Sequence, residues 1–335
     1  MESTTDNEES EDIYPPKPIK PLQSECCGTG CTPCVFDIYE KHYKNWNLQC
    51  DAIRKGKHCH VPNSTDGDTT FLSPEKYKAL KILNIFQETE TMKMFRFSWG
   101  EEGTEFPVKI GQHLLLKYKG VSRQYTVLRT DPEVRCFDIL IKIYSISSNK
   151  EYEPGREMLT PQLDCDGLLL GVSDAETLIT RGPFGQIYNY VPNTISTLFL
   201  IAAGTGIAPM FRIIQSILNN DDDETRIKLL YSCPNLKDIP LLGYFKTWSS
   251  FWNFDITYFI PLSREENEGR SLPYYRMKIV NHRLNLDHLS EQIRIISRCR
   301  LESSMFLICG TKSFEKDMIN YLSKIGIDSN QVKCF

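Results

Sequence analysis

The chain lacks a basic-then-apolar leader, so no secretory route is visible and disulfides are not the default for its twelve cysteines; a reducing compartment fits better. It also lacks the roughly 20 uninterrupted apolar residues that a membrane span requires. The most apolar stretch, 197–218, is broken by Gly204, Gly206, Pro209 and Arg212. Basic charge is not in excess: 39 Lys plus Arg face 43 Asp plus Glu, a net charge of −4, which offers no polycationic surface to phosphates and argues against a nucleic-acid binder. There is no internal repeat, no GxSxG elbow and no HExxH helix. What is present, 335 residues of which 41% are hydrophobic, is too much for one core and too apolar for a disordered chain, so two domains are expected.

Composition divides the chain. Glu2, Asp6, Glu8, Glu9, Glu11 and Asp12 have no basic partner and precede Pro15, Pro16, Pro18 and Pro21, which predicts a disordered leader over 1–21. A small cysteine-rich module follows over 22–60, with Tyr39, Tyr43 and Trp46 at near-helical spacing, and then a polar linker over 61–74. Over 75–192 the signals are short strands at 82–86, 92–99, 113–118, 122–130 and 137–144. In the last of these Phe137, Ile139, Ile141 and Ile143 alternate with Asp138, Leu140, Lys142 and Tyr144, the period of a strand with one face on a core. Many short strands with little helix predict a small β barrel. Over 193–335 apolar runs at 197–203, 227–231, 254–260 and 305–309 alternate with helical patterns such as Phe314, Met318, Leu322 and Ile325, with Gly326 as a stop, which predicts an α/β domain built on a parallel sheet.

Two constellations carry chemistry. In Gly204-Thr205-Gly206-Ile207-Ala208-Pro209 a buried strand runs into glycines and then into a helix, where free N–H groups and the positive end of the helix dipole favour an anion such as a phosphate. By itself the motif is equally a tight turn without a ligand. In Arg123-Gln124-Tyr125-Thr126, Arg123 and Tyr125 project to one face of a strand about 7 Å apart, so a guanidinium fork and an aromatic plane can serve one elongated ligand. Thr126 reaches the same ligand only if the strand bends, and an ordinary sheet surface is the bland alternative.

The order of motifs resembles a known family. RQYT at 123–126, PGREM at 154–158, RGPFG at 181–185, AAGTGIAPM at 202–210 and CG at 309–310 are similar to the ferredoxin reductase-like flavoenzymes, and above all to the NADH-cytochrome b5 reductases, over about residues 75–335. The resemblance implies a β barrel FAD-binding domain joined to an α/β NAD-binding domain. It implies that Arg123 holds the FAD pyrophosphate, that Tyr125 packs on the flavin with Gln124 beside it, and that Thr126 lies near flavin N5. Leu140, Lys142 and Tyr144 would line the same cofactor. Gly155, Arg156, Glu157 and Met158 would form the pyrophosphate loop; Leu159 and a displaced Thr160 depart from the family's usual GKMS, and Ala208 stands where relatives carry Thr. For NADH, the resemblance assigns Gly204, Thr205, Gly206, Pro209 and Met210 to the pyrophosphate, Cys309 and Gly310 to the nicotinamide, and Asp238 to preference over NADPH. Phe335 ends the chain as an aromatic, as in many relatives. Thr126 and Cys309 are the residues expected at the hydride transfer itself.

The implied activity is electron transfer from NADH through FAD to a one-electron acceptor, a haem protein such as cytochrome b5. Quinone or ferric iron as acceptor, and a redox-silent scaffold that keeps the fold, are the alternatives. The implied location is cytoplasmic, with peripheral association at endoplasmic reticulum or mitochondrial membranes as an option, and Met1-Glu2-Ser3 offers no glycine for myristoylation. Lys41, Lys44, Arg294, Arg298 and Arg300 can face an acidic partner or be plain solvated surface. Cys26-Cys27-Gly28-Thr29-Gly30-Cys31-Thr32-Pro33-Cys34 resembles the oxidoreductase-like N-terminal module of some reductases. Cys26, Cys31 and Cys34 have the spacing of three iron–sulfur ligands, and with Cys50, Cys59, His58 or His60 a zinc site is an alternative; a redox-active thiol pair and a recognition element without metal are the others.

Overall fold

The computed structural model describes residues 14–15, 17–21, 23, 34–55, 71–100, 104–118, 121–143, 178–185, 188, 190–261, 277–296 and 301–335. The first part of the expected barrel is an antiparallel sheet in the order β1-β8-β4-β5, from β1 (Lys78–Ala79), β8 (Ile179–Phe184), β4 (His113–Tyr118) and β5 (Val121–Tyr125). The second has the order β2-β3-β7-β6, from β2 (Lys81–Gln87), β3 (Met92–Ser98), β7 (Cys136–Lys142) and β6 (Val127–Asp131). Both sheets close on one core that joins Leu114 and Leu116 to Phe95, Phe97, Phe137, Ile139 and Ile141. Phe97 and Phe137 are cross-strand partners with ring centroids 5.3 Å apart, the kind of pair that sets register by packing.

The alternation in β7 predicts one face on a core, and the structure buries both faces. Every residue from Cys136 to Ile141 is buried. The face carrying Leu140 packs into the core of the second domain, and Asp138 on that side is enclosed by Arg96 and Arg129. Alternation therefore marks two unlike buried environments, one purely apolar and one containing a compensated charge.

The second domain is a six-stranded parallel sheet in the order β12-β11-β10-β9-β13-β14. Its strands are β9 (Thr197–Ala203), β10 (Arg226–Ser232), β11 (Phe254–Phe259), β12 (Met277–Val280), β13 (Ser304–Cys309) and β14 (Val332–Cys334). Helices α2 (Ile207–Leu218) and α3 (Leu242–Trp248) cover one face, and α4 (Leu286–Arg294) and α5 (Lys312–Ile325) cover the other. Strands buried on both faces divide their residues between two cores: Leu198, Leu200 and Ala202 of β9 face α2, while Phe199 and Ile201 face the α4–α5 side. Gly326 ends α5 in the left-handed region, φ 91°, as the sequence suggested. Met92, Met94 and Leu128 of the first domain belong to the same apolar cluster as α2, so the two domains share a continuous interior.

Ahead of the sheets lies α1 (Val35–Arg54), which carries the expected aromatic ladder. Tyr43 sits 5.7 Å from Tyr39 and 5.7 Å from Trp46. Part of the segment expected to be a disordered leader is held against it: the Trp46 indole donates to the Pro15 carbonyl at 2.7 Å, and Lys17 Nζ lies over the rings of Tyr43 and Trp46. Lys41 pairs with Glu75 at 2.7 Å, tying α1 to the segment before β1. Residues 1–13 lie outside the described residues, as do Cys26, Cys27, Cys31, Cys59, His58 and His60.

Candidate functional site

The site forms where the parallel sheet reverses its order. From β9 the chain steps outward through β10, β11 and β12, then returns to lay β13 on the other side of β9, so a crevice opens beyond the ends of β9 and β13. The chain leaves β9 through a single turn, Gly204–Gly206, that leads directly into α2. Gly204 has φ +55° and open space where a Cβ would stand, and its carbonyl accepts a hydrogen bond from the Tyr231 hydroxyl at 3.0 Å. Gly206 lies against the end of β13: a Cβ there would be 2.3 Å from the carbonyl oxygen of Cys309. Only glycine lets the two loops meet this closely.

The first domain supplies the facing wall. β5 belongs to one antiparallel sheet and β6 to the other, and Thr126 is the single residue between them. The change of sheet is the bend that Thr126 needed, and Arg123, Gln124, Tyr125 and Thr126 all line the cleft. The Arg123 guanidinium is held by the Ser122 carbonyl at 2.7 Å. Leu140 and Lys142, from the end of β7, complete this side. Opposite them stand Gly204, Thr205, Gly206 and Pro209, with Cys309 and Gly310 at the end of β13. Together the walls enclose about 1460 Å³, above the roughly 300–1,000 Å³ of an ordinary small-molecule pocket and suited to an elongated ligand.

Two of the predicted residues are placed elsewhere. Met210 is fully buried in the core beneath α2, since it follows the first turn and points inward with Ile214. Asp238 is 1% exposed and stands off the cleft, because its carboxylate is taken up by Thr89, Thr91 and Asn235. Tyr144, Gly155, Arg156, Glu157, Met158, Leu159 and Thr160 lie outside the described residues. So do Cys26 and Cys31; Cys34 precedes α1, its N–H donating to Asp37 at 2.9 Å. Among the described residues no group of three His, Cys, Asp or Glu side chains is arranged to hold a metal, and no helix is long and apolar enough to cross a membrane.

The cleft also contains residues that sequence reasoning missed. His113 opens β4 and lines the wall; burial pushes its pKa down to about 4, so it is neutral at physiological pH, and its buried Nε2 has no hydrogen-bond partner among the described residues. Tyr188 lines the same wall, its buried hydroxyl also without a partner among the described residues and pushed up to about 12 by burial. Two orphaned polar atoms on one wall fit a polar ligand, since leaving such groups unpaired is costly. No spacing pattern in the sequence pointed to His113, which packs against the RGPFG motif: a Cβ on Gly185 would come 3.1 Å from its Nδ1. Phe335 reaches the cleft too, held by its N–H to the Ile308 carbonyl at 3.0 Å and meeting Tyr188 edge-on. The Cys309 thiol is pushed up to about 12, by burial and then by the Glu315 carboxylate, and so is a neutral thiol at physiological pH. Glu315 is itself paired with Lys312 at 3.0 Å.

Comparison with known proteins agrees with this architecture. The family model for the oxidoreductase FAD-binding domain matches residues 79–188, that for the oxidoreductase NAD-binding domain matches 200–319, and that for the N-terminal region of oxidoreductase-like proteins matches 12–55. The chain is 31% identical to the mouse (Mus musculus) protein "NADH-cytochrome b5 reductase-like" over the full length of both, and 30% identical to the human (Homo sapiens) protein of that name over 95% of this chain and 94% of the other. Among solved structures it is similar to the cytochrome b5 reductase domain of Ulva prolifera nitrate reductase, with TM-score 0.59 and 22% identity over 79% of this chain and all of that one. It is also similar to the CS-b5R domains of human Ncb5or in the NAD+ form, with TM-score 0.59 and 20% identity over 78% of this chain and 69% of that one. At these identities the structural matches speak for the fold.

Proposed function

The chain belongs to the cytochrome b5 reductase family of FAD- and NAD-binding oxidoreductases, and from that premise we propose that it carries electrons from NADH through FAD to a one-electron haem acceptor of the cytochrome b5 type. The observation that carries the reading is a cleft shared by both domains, in which the Arg123–Thr126 wall faces the Gly204–Gly206 turn and the end of β13. Bound FAD would supply hydride acceptance from NADH and stepwise release of single electrons, chemistry that requires no general acid or base from the protein.

The residues of the chain bind, orient and exclude water. Arg123 offers a planar cation to a diphosphate, and the Tyr125 ring gives a face against which a ring system packs. Gln124, Leu140 and Lys142 complete this side of the cleft, and Thr126, at the sheet change, would stand near the reacting edge of the flavin. On the other wall, the N–H groups at the start of α2, together with Thr205 and Pro209, receive the nucleotide pyrophosphate at the positive end of the helix dipole. Cys309 and Gly310 border the nicotinamide. Because the Cys309 thiol is neutral, it places no charge beside a migrating hydride. His113 and Tyr188 supply the polar atoms that wait for a partner on the flavin wall.

The test is direct. Protein purified with FAD should be yellow, and NADH should bleach it in the absence of oxygen; added cytochrome b5 should then be reduced, two molecules for each flavin restored. A colourless protein that rejects added FAD overturns the proposal and favours a scaffold. A flavoprotein bleached by NADH that reduces quinone or ferric iron but not cytochrome b5 overturns the choice of acceptor alone.

A further inference from the structure

Two tyrosines of one short segment are treated differently by the fold. Tyr188 and Tyr190 lie between β8 and β9, joined by the Tyr190 N–H to the Tyr188 carbonyl at 2.9 Å, with their rings stacked 6.2 Å apart. The Tyr190 hydroxyl is engaged on several sides: it lies 2.8 and 2.7 Å from the two Asp223 carboxylate oxygens and 2.6 Å from Thr225 Oγ1. The buried Tyr188 hydroxyl has no partner among the described residues. Nothing in the packing of Tyr188 calls for that oxygen. Its N–H donates to the Ile110 carbonyl at 2.9 Å, and its ring meets Tyr190 on one side and Phe335 edge-on at 6.2 Å. A phenylalanine would keep all of these contacts. Ile110 directly precedes Gly111, which lines the cleft with His113, Gly185 and Tyr188 itself, so Tyr188 is anchored on the wall of the first domain.

We propose that the Tyr188 hydroxyl is a binding group for the flavin ring of FAD, donating a hydrogen bond to one of the ring's carbonyl oxygens. Resting on the function given above, this role adds a donor that the Arg123–Thr126 strand does not supply. A hydroxyl buried on a cleft wall without a partner is costly, and a ligand that accepts from it recovers that cost on binding. Burial pushes the phenol up to about 12, so at physiological pH the oxygen keeps its proton and donates. The ring is held between Tyr190 and Phe335, which fixes the donor before the ligand arrives. The other acceptor expected in the cleft is the carboxamide of the nicotinamide. That ring is bordered by Cys309 and Gly310 of the second domain, whereas Tyr188 is hydrogen-bonded to the first.

The full chain is compared as native protein, Tyr188→Phe and Tyr190→Phe, both flavin-free and loaded with FAD. In Tyr188→Phe the thermal midpoint of the flavin-free protein should hold or rise, by up to about 4 °C, because only an unpaired oxygen is removed. Its FAD dissociation constant should rise about tenfold, and the stretch of one flavin carbonyl in the Raman spectrum should move to higher wavenumber. Tyr190→Phe should do the reverse: a lower midpoint, since a hydrogen bond is stripped from Asp223, with FAD affinity within about twofold of native. A flavin-free midpoint that falls as far in Tyr188→Phe as in Tyr190→Phe means a hydroxyl bonded within the protein and overturns the proposal. So does an unchanged FAD affinity with an unchanged carbonyl stretch. If FAD affinity holds while NAD+, titrated into the loaded protein, binds about tenfold more weakly, the acceptor is the nicotinamide and the assignment to flavin is overturned. A native chain that binds no FAD overturns the reading of function itself, a result distinct from a loaded native protein that is indifferent to Tyr188→Phe.

Discussion

Gly206→Ala tests the cleft at its narrowest point. The added Cβ would stand 2.3 Å from the carbonyl oxygen of Cys309, 2.6 Å from its carbonyl carbon and 3.0 Å from the Gly310 nitrogen. All three are backbone atoms, so no side chain can swing aside, and the ends of β9 and β13 must part by about 1 Å to restore normal contact. The strain of such overpacking is about 1–3 kcal/mol, which a shared core of this size should survive. Function should suffer more, since a misplacement of about 1 Å at a reacting centre costs on the order of 10²-fold in rate. The expected result is a folded protein that keeps its flavin, because the Arg123–Thr126 wall is untouched, but whose reduction by NADH in anaerobic stopped flow is slower by about 10²-fold. Flavin reduction within about twofold of native, in a variant of native flavin content, would refute the claim that the β9 and β13 loops jointly seat the nicotinamide.

Arg123→Leu should weaken FAD binding by about 10- to 100-fold, the value of a charge-assisted hydrogen bond, read by titrating the flavin-free protein; an unchanged affinity removes Arg123 from the pyrophosphate site. His113 has a folded pKa depressed from 6.5 to about 4, so the stability it contributes is present above pH 6.5 and is lost as pH falls through about 4. His113→Gln should therefore reduce the loss of stability between pH 7 and pH 4 by roughly 3 kcal/mol in urea unfolding of the flavin-free protein, and an identical pH profile would count against a buried neutral imidazole. Asp138 is 2% exposed at its side chain while its partners Arg96 and Arg129 are 32% and 36% exposed. Removing both arginines as Met should cost about 3–5 kcal/mol by stranding the acid, whereas Asp138→Asn, which leaves two cations able to reach water, should cost clearly less; the reverse order in thermal unfolding would contradict the asymmetry. For the N-terminal cysteines the measurement is elemental analysis of the purified full chain. Zinc or iron at one equivalent, lost on changing Cys26, Cys31 and Cys34 to Ser, supports a metal site; content well below one equivalent removes it.

Most of the frame could be read from the sequence because period and punctuation report local geometry. The parallel sheet followed from apolar runs alternating with helical spacing, and the strand-glycine-helix turn at Gly204–Gly206 lay where the sequence put it. What escaped was the environment beyond each residue's own element. The alternation of β7 could not show that its second face meets another domain. Thr126 pointed the wrong way until β5 and β6 were seen to lie in different sheets. His113 belongs to no spacing pattern, and its place on the cleft wall depends on Gly185 across the β4–β8 pair. Asp238 follows Lys237 as an acid near a nucleotide loop would, yet the decisive partners, Thr89 and Thr91, lie in the other domain.

These environments share a cause, a strand that serves two domains at once. β7 gives Phe137, Ile139 and Ile141 to the barrel core and Leu140 to the core under α2, with Asp138 clamped between β3 and β6 by Arg96 and Arg129. Arg129 extends that clamp to the hydroxyl of Tyr244 on α3, and Arg212 of α2 reaches the carbonyls of Val108 and Lys109 in the first domain. One strand is thus interior to two domains at once, and the residue at its end, Lys142, lines the cleft. Moving one domain against the other would expose apolar surface on β7 and uncover a buried carboxylate, which is far costlier than flexing a linker. Electron transfer between ligands on opposite walls needs a fixed separation more than it needs a moving lid, and a strand shared by two cores supplies that separation from the fold itself.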